Sequence, residues 1–254
     1  MNSIVLLGAG NVAQHLYTAF LNQKSVEVIQ CYNRKGIKLH KDQKSDTITT
    51  DLTKLKEADL YILAISDDAV EKVSSALPFM DRLVVHTSGS VPMKSIDNRN
   101  HPGVFYPLQT FSATKKVDFN KIPFCIEAER KTDVVFLKKL ASMLSQKVYD
   151  ISSDQRNLLH VAAVFVNNFT NYMFSVGSEI CTENNVPFEI LHPLIQETAK
   201  KIQEIAPDKA QTGPAVRNDS LTIERHLGIL TNDLQIQLYK TLTKAIKSKY
   251  GKEL

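Results

Sequence analysis

The sequence predicts an α/β protein, an N-terminal doubly wound parallel sheet followed by an all-α region. Three observations predict it. Short β-branched runs alternate with helix-length segments over the first half of the chain, the pattern of βαβ crossovers that feed a parallel sheet. The runs "IVLL", "LYILAI" and "LVVH" are apolar at consecutive positions, as strands are when helices cover both faces of the sheet. After about Ser153 the strand patterns stop and only helical spacing remains.

Taken in order, Ser3–Leu7 reads as a strand, Val12–Leu21 as a helix, and "VEVIQCY" as the second strand. "DLYILAI" and "RLVVHTS" are the third and fourth. "IPFCIEA", "DVVFLKKLASML" and "KVYDIS" then add a strand–helix–strand unit. The segment "RNLLHVAAVFVNNFTNYMFSVGSEICTEN" is apolar nearly all round, so it is expected to be buried in a helical domain or a subunit interface. "PFEILHPLIQETAKKIQEI" and "NDLQIQLYKTLTKAIKSKY" are amphipathic helices. The division falls near residue 152, giving a sheet domain over 1–152 and a helical domain over 153–254.

Composition narrows the function classes. At 254 residues, 43% hydrophobic and 23% charged, the chain is neither disordered, fibrous nor membrane-spanning in character. The net charge of +4 is mild and no basic–aromatic interleaving marks a nucleic-acid surface. The lysines of "KAIKSKYGKEL" read as a solvated helix face, and no signal-peptide pattern opens the sequence. Cys31, Cys125 and Cys181 stand singly without CxxC spacing, which argues against a disulfide framework or zinc site and fits a reducing cytoplasm. His40, His192 and the other histidines show no metal spacing.

The chemistry begins at "IVLLGAGNVA". Gly8, Gly10 and Ala13 form G-x-G-x-x-A between a strand and a helix. The first glycine permits the tight turn, the second lets backbone approach a pyrophosphate, and the alanine keeps helix and strand close. Gly8, Ala9, Gly10, Asn11 and Val12 are therefore expected to hold a dinucleotide at the helix N-terminus. An NAD site would place Asp or Glu at the end of the second strand. Here "CYNRKGIK" puts Asn33 there, followed by Arg34, Lys35 and Lys38. A carboxylate would repel a 2′-phosphate and a guanidinium would grip it, so Asn33 and Arg34 are expected to grip the ribose and the cofactor is expected to be NADP. The plain alternative is a loop of solvated charges. Ala64, Ile65 and Ser66 end the third strand, and Thr87, Ser88 and Gly89 end the fourth. Carboxyl ends of parallel strands line the ligand crevice, so these residues are expected against the cofactor. Asp68 reads as a helix cap rather than half of a metal pair with Asp67.

These segments carry a resemblance. "IVLLGAGNVA", "CYNR", "ADLYILAISDDAV" and "VVHTSGS" resemble the N-terminal domain of the deazaflavin-dependent NADP reductase and 6-phosphogluconate dehydrogenase-like superfamily, which includes pyrroline-5-carboxylate reductase. "HPGVFYPLQTF", "HVAAVFVNNFTNYMF" and "QTGPAVRNDSLTIERHL" resemble a narrower bacterial family of Rossmann-like NADP oxidoreductases with a helical C-terminal domain of unassigned function. The resemblance implies a Rossmann domain, a helical domain and a homodimer formed through those helices. In the hydroxyacid dehydrogenases of the superfamily, the long helix carries a Lys with an Asn one turn later. At the matching places stand Val164 and Asn168, so the usual general acid/base is absent.

In the second half, His160, Asn167, Asn171 and Ser178 fall near one stripe at helical spacing, with Asn168 beside it. They would line a cleft or hydrogen-bond across a helix interface. In "QTGPAVRNDSLTIERHL", Gly213–Pro214 marks a turn, Asp219 or Ser220 a cap, and Thr222 and His226 share a face. His226 could pass a proton to a carbonyl and Arg217 could anchor a carboxylate or phosphate. The plain reading is a capped helix with a polar outer face. Tyr106 and Gln109 could stand beside the nicotinamide, whereas Phe105 and Phe111 read as core. The expectation is thus an NADP-dependent oxidoreductase of a small, carboxylated metabolite, with His226 and Asn168 as catalytic groups and Arg217 and Thr222 on the substrate. The alternatives are a non-catalytic NADP(H)-binding regulator and an enzyme that uses a deazaflavin as redox partner.

Overall fold

The computed structural model describes residues 1–251, so the last three residues of the lysine-rich tail lie outside it. The chain forms two compact units, Met1–Val164 and Phe165–Leu254. The composition change near 152 coincides with the start of the long helix, and the units part within that helix.

The first unit runs β1 (Asn2–Leu7), α1 (Asn11–Leu21), β2 (Val26–Tyr32), β3 (Ile48–Thr49), β4 (Leu60–Leu63), α2 (Val70–Ser75), β5 (Leu83–His86), β6 (His101–Pro107), β7 (Phe124–Ala128), α3 (Lys131–Ser142), β8 (Val148–Asp150) and α4 (Ser153–Ala163). The sheet order is β3-β2-β1-β4-β5-β6-β7-β8. From β1 the chain builds outward through β2 and β3, then returns to lay β4 on the other side of β1. That reversal opens a crevice beyond the carboxyl ends of β1 and β4.

The apolar strand runs are explained by burial on both faces. Ile4, Leu6, Leu60 and Ile62 join Leu16, Leu137 and Leu140 in one core. Their neighbours Val5, Leu7, Tyr61 and Leu63 join Val70, Leu77 and Val84 in the other. Each such side chain contributes roughly 1.5–3 kcal/mol when taken from water.

Two strands depart from the sequence expectation. β6 pairs antiparallel with β7, so the sheet is not wholly parallel. Pro102, Gly103 and Pro107 inside β6 disguise it, because proline and glycine normally mark strand ends. β3 spans two residues and is too short to leave a pattern.

The second unit holds a π-helical segment Val164–Phe169, α5 (Thr170–Glu183), α6 (His192–Glu204), α7 (Pro207–Ala210), α8 (Ser220–Ile229) and α9 (Asp233–Tyr250). The π turn adds a residue per turn, so the stripe from His160 to Ser178 does not continue unbroken. The expected burial of the long helix is not met within one chain. Leu158, Val161, Phe165, Val166 and Phe169 are all exposed, Leu158 and Val166 at 72%.

The start of α4 is bound to the sheet by charge. Ser152 and Gln155 form a capping box. Arg156, 1% exposed, pairs with Glu127 of β7 and donates to the Val91 carbonyl. Glu127 also accepts from the Ser153 backbone and hydroxyl. Arg156→Met is therefore expected to cost roughly 3–5 kcal/mol by leaving Glu127 unpaired. Adding Glu127→Leu should recover part of that loss in the denaturant midpoint; an equal or larger loss in the double variant would show that the pairing is not the cause.

Candidate functional site

The carboxyl ends of β1, β4, β5 and β6 share one edge, since these strands are mutually parallel. At β1 the chain turns through Gly8 at φ +130°, and a Cβ there would overlap the Ala64 carbonyl oxygen at the end of β4. Only glycine fits. Gly10 caps α1 without any side-chain hydrogen bond, and no acid stands in the first turn. A Cβ at Gly10 would meet nothing within 4 Å. Ala13 is fully buried, so helix and strand are in close contact as that position requires. The free N–H groups and open space before α1 suit a pyrophosphate. Ala9 accepts at its carbonyl from Gln14, and the Asn11 amide donates to Phe111 O at 2.9 Å. Val12 packs against the core.

At the end of β2 stands Asn33 rather than a carboxylate. Asn33 is 5% exposed. Its amide donates to Ile37 O and its carbonyl accepts from Ile37 N, each at 2.9 Å. The side chain is spent on closing the loop Arg34–Gly36, so Asn33 shapes the loop and does not face a ligand. Arg34, Lys35 and Lys38 are exposed. The residues at both ends of the site thus fit a dinucleotide carrying a 2′-phosphate.

On the other side of the switch point, Ala64 is buried, Ile65 is partly buried and Ser66 is exposed at the N-cap of a short turn. Asp67, rather than Asp68, has the fixed role, its carboxylate accepting from the Ser90 hydroxyl. The Thr87 hydroxyl donates to Leu63 O, and Ser88 Oγ accepts from the backbone of Ser90 and Val91. These two hydroxyls therefore build the turn after β5. His86 beneath it is fully buried. Its Nδ1 accepts from the Ser88 backbone N–H, which places the proton of the neutral ring on Nε2.

Sequence reasoning did not join three residues that meet here. A Cβ at Gly89 would stand 2.5 Å from His160 Nδ1 and 2.9 Å from Tyr106 Oη. Tyr106 and His160 lie 3.4 Å apart, Oη to Nδ1. Glycine in "HTSGS" was the available signal, but its meaning depended on β6, which the sequence concealed. Phe105 is core and Phe111 packs on it, as expected. Gln109 is exposed.

In the second unit, Asp219 caps α8 by accepting from the Thr222 backbone and hydroxyl. Thr222 is thereby committed to the cap and has no hydroxyl proton left for a substrate. Arg217 is exposed. His226 Nδ1 lies 2.8 Å from Tyr239 Oη, beside an apolar cavity of about 310 Å³ lined by Met173, Val176, Leu238 and Leu242. Asn168 is exposed in the π-helical segment, on a different element from His226. Among the described residues no cluster of His, Cys, Asp and Glu could hold a metal ion.

Burial, helped by the nearby Arg156 cation, pushes the His86 pKa down from 6.5 to about 4. Between those values the unfolded chain binds a proton that the folded chain refuses, so stability is full above about pH 6.5 and falls toward pH 4. His86→Asn should flatten this fall in urea midpoints measured across that window; an unchanged slope would acquit His86.

Comparison with other proteins agrees with this geometry. Residues 3–89 match the family described as NADP oxidoreductase, coenzyme F420-dependent, and residues 122–246 match a domain of unknown function, DUF2520. No curated protein matches the chain. A candidate NADP oxidoreductase of Bacteroides fragilis is 41% identical, with 97% of this chain and 98% of that one covered at a TM-score of 0.83. Pyrroline carboxylate reductase of Plasmodium falciparum, solved with NADP bound, is 10% identical, with 98% of each chain covered at a TM-score of 0.61. An imine reductase of Myxococcus stipitatus in complex with NADP+ is 14% identical, with 98% and 96% covered at a TM-score of 0.66. The last two share the fold alone. No helix among the described residues is long and apolar enough to cross a membrane. On the Bacteroides match and the glycine turn together, the chain belongs to the NADP oxidoreductase family, with a Rossmann-like NADP-binding fold followed by a helical region.

Proposed function

We propose that the protein transfers a hydride between NADP(H) and a carbon–oxygen or carbon–nitrogen double bond of a small, carboxylated metabolite. The observation that carries this reading is the charge reversal at the end of β2. Asn33 folds inward where an NAD site keeps an acid, and Arg34 stands exposed on the loop it closes. Gly8, Gly10 and the N-terminus of α1 would hold the pyrophosphate, and Ala64–Ser66 with Thr87–Ser88 would border the nicotinamide half. Bound NADPH supplies the hydride, and the protein positions the substrate. Arg217 suits a carboxylate by its paired donors. His226 and Asn168 are the second unit's candidates for handling the reducible atom. The neighbours named for pyrroline carboxylate and imine reduction add cyclic imines to the compounds worth testing.

A second reading is favoured by one observation. Val164 stands where the superfamily resemblance calls for a lysine, and it begins a π-helical segment. That suits a non-catalytic NADP(H)-binding regulator. Reduction of aldehydes, 2-keto acids or cyclic imines by NADPH separates the two readings, and a deazaflavin belongs in the same panel because the matched family is described as F420-dependent. Three free cysteines, two of them buried, fit a reducing cytoplasm.

The same reading includes a homodimer. Leu158, Val161, Phe165, Val166 and Phe169 form an apolar stretch left exposed by the single chain, as an interface between subunits requires. Phe165→Asp with Phe169→Asp should give a monomer in sedimentation; a wild-type chain that is itself monomeric at micromolar concentration would end this part of the proposal. Arg34→Ala should weaken NADPH by roughly 10–100-fold, the worth of a charged hydrogen bond, and leave NADH unchanged. Equal losses for both cofactors in a binding titration would remove the 2′-phosphate argument.

A further inference from the structure

We propose that Tyr106 is the proton donor to the substrate's reducible atom, and that His160 is the positioning residue that returns its proton. The inference rests on the hydride-transfer reading above and moves the acid from the second unit to the sheet edge. A dinucleotide laid across the switch point has its pyrophosphate at the first turn and its adenosine ribose at the end of β2. Its nicotinamide half must then lie toward β4, β5 and β6. Tyr106 is next to last in β6, beyond the point where Val104 pairs with His86, so its hydroxyl stands at that same edge. Gly89 has no side chain where a Cβ would meet both His160 and Tyr106. The missing atom is what lets the two rings approach the turn.

The surroundings suit a phenol that stays protonated until it is used. Burial pushes the Tyr106 pKa up to about 12. The other charged or titratable groups acting on it are Cys125 from β7, Arg156 from α4 and Asp67 from the turn after β4. The Oη–Nδ1 separation of 3.4 Å is at the outer limit of hydrogen-bond reach. As hydride from the reduced nicotinamide adds to carbon, the double-bond pair moves to oxygen or nitrogen, which takes the Tyr106 proton. The phenolate then takes the Nδ1 proton of His160 as Nε2 takes a proton from solvent hydronium, so the imidazole stays neutral and one solvent proton is consumed. The sum is one hydride and one proton added across the double bond, leaving the nicotinamide oxidised.

The primary test does not depend on knowing the substrate. Protein labelled with carbon-13 at tyrosine Cζ is compared in saturating NADPH and NADP+, which differ at the nicotinamide ring. The resonance lost in Tyr106→Phe is expected to shift between the two complexes. If it coincides in both, the inference falls and the proposed function survives. If neither cofactor binds, the proposed function falls first. With any panel compound that the wild type reduces, Tyr106→Phe should lower kcat by about 10²–10⁴-fold at unchanged KM for NADPH. His160→Gln, which preserves the packing, should lower kcat by about tenfold or more and leave KM for NADPH unchanged. A Phe variant or a Gln variant within threefold of wild type in kcat would overturn the assignment.

Discussion

The site depends on one close approach, that of Gly8 to the end of β4. The main chain leaving β1 passes so near the Ala64 carbonyl that any side chain would collide with it, and φ is +130°. That contact brings the two halves of the sheet together at the reversal of strand order. It also aims the N-terminus of α1 along the crevice. The open space at Gly10 and the full burial of Ala13 follow from the same turn. Strand pairing extends the constraint, because Gly8 N donates to Tyr32 O and Ala64 N donates to Leu7 O, each at 2.8 Å. The ends of β1, β2 and β4 are thereby held level.

Charge at the adenosine end is organised by a neutral residue. Asn33 makes two hydrogen bonds to one residue, Ile37, and so fixes a loop whose remaining side chains are cationic. An aspartate in its place could accept from the Ile37 N–H but could not donate to its carbonyl. The loop would lose a bond and the crevice would gain a repulsive charge. Loop geometry and the absence of a negative charge at this point are thus set by the same amide.

Most of the sheet was legible because its strands are buried on both faces, and burial leaves an apolar run in the sequence. Leu60–Leu63 is buried at every position and reads as a strand without help. β6 is the exception. Its prolines read as breaks, yet at this position the neighbours tolerate them, and the antiparallel turn to β7 is invisible in a pattern of spacings. The glycine turn and the missing acid were legible because each is a local chemical requirement. The inward turn of Asn33 was not, since an amide can donate or accept in either direction and only the loop's closure decides. The long helix was legible as apolar, while its exposed face and π-helical turn were not.

The sequence by itself determined the order of strands and helices apart from β3 and β6, the glycine turn after β1 and the absence of a carboxylate at the end of β2. These follow from spacing, residue size and charge within short stretches of chain. Only the tertiary structure decided that Tyr106, Gly89 and His160 share one corner, although β5, β6 and α4 are far apart in sequence. It also committed Thr222 to a helix cap and left Arg34 exposed. The physical reason is that contacts between distant segments depend on packing that no local period encodes, and a polar side chain's role is settled by whichever partner packing brings within hydrogen-bond reach.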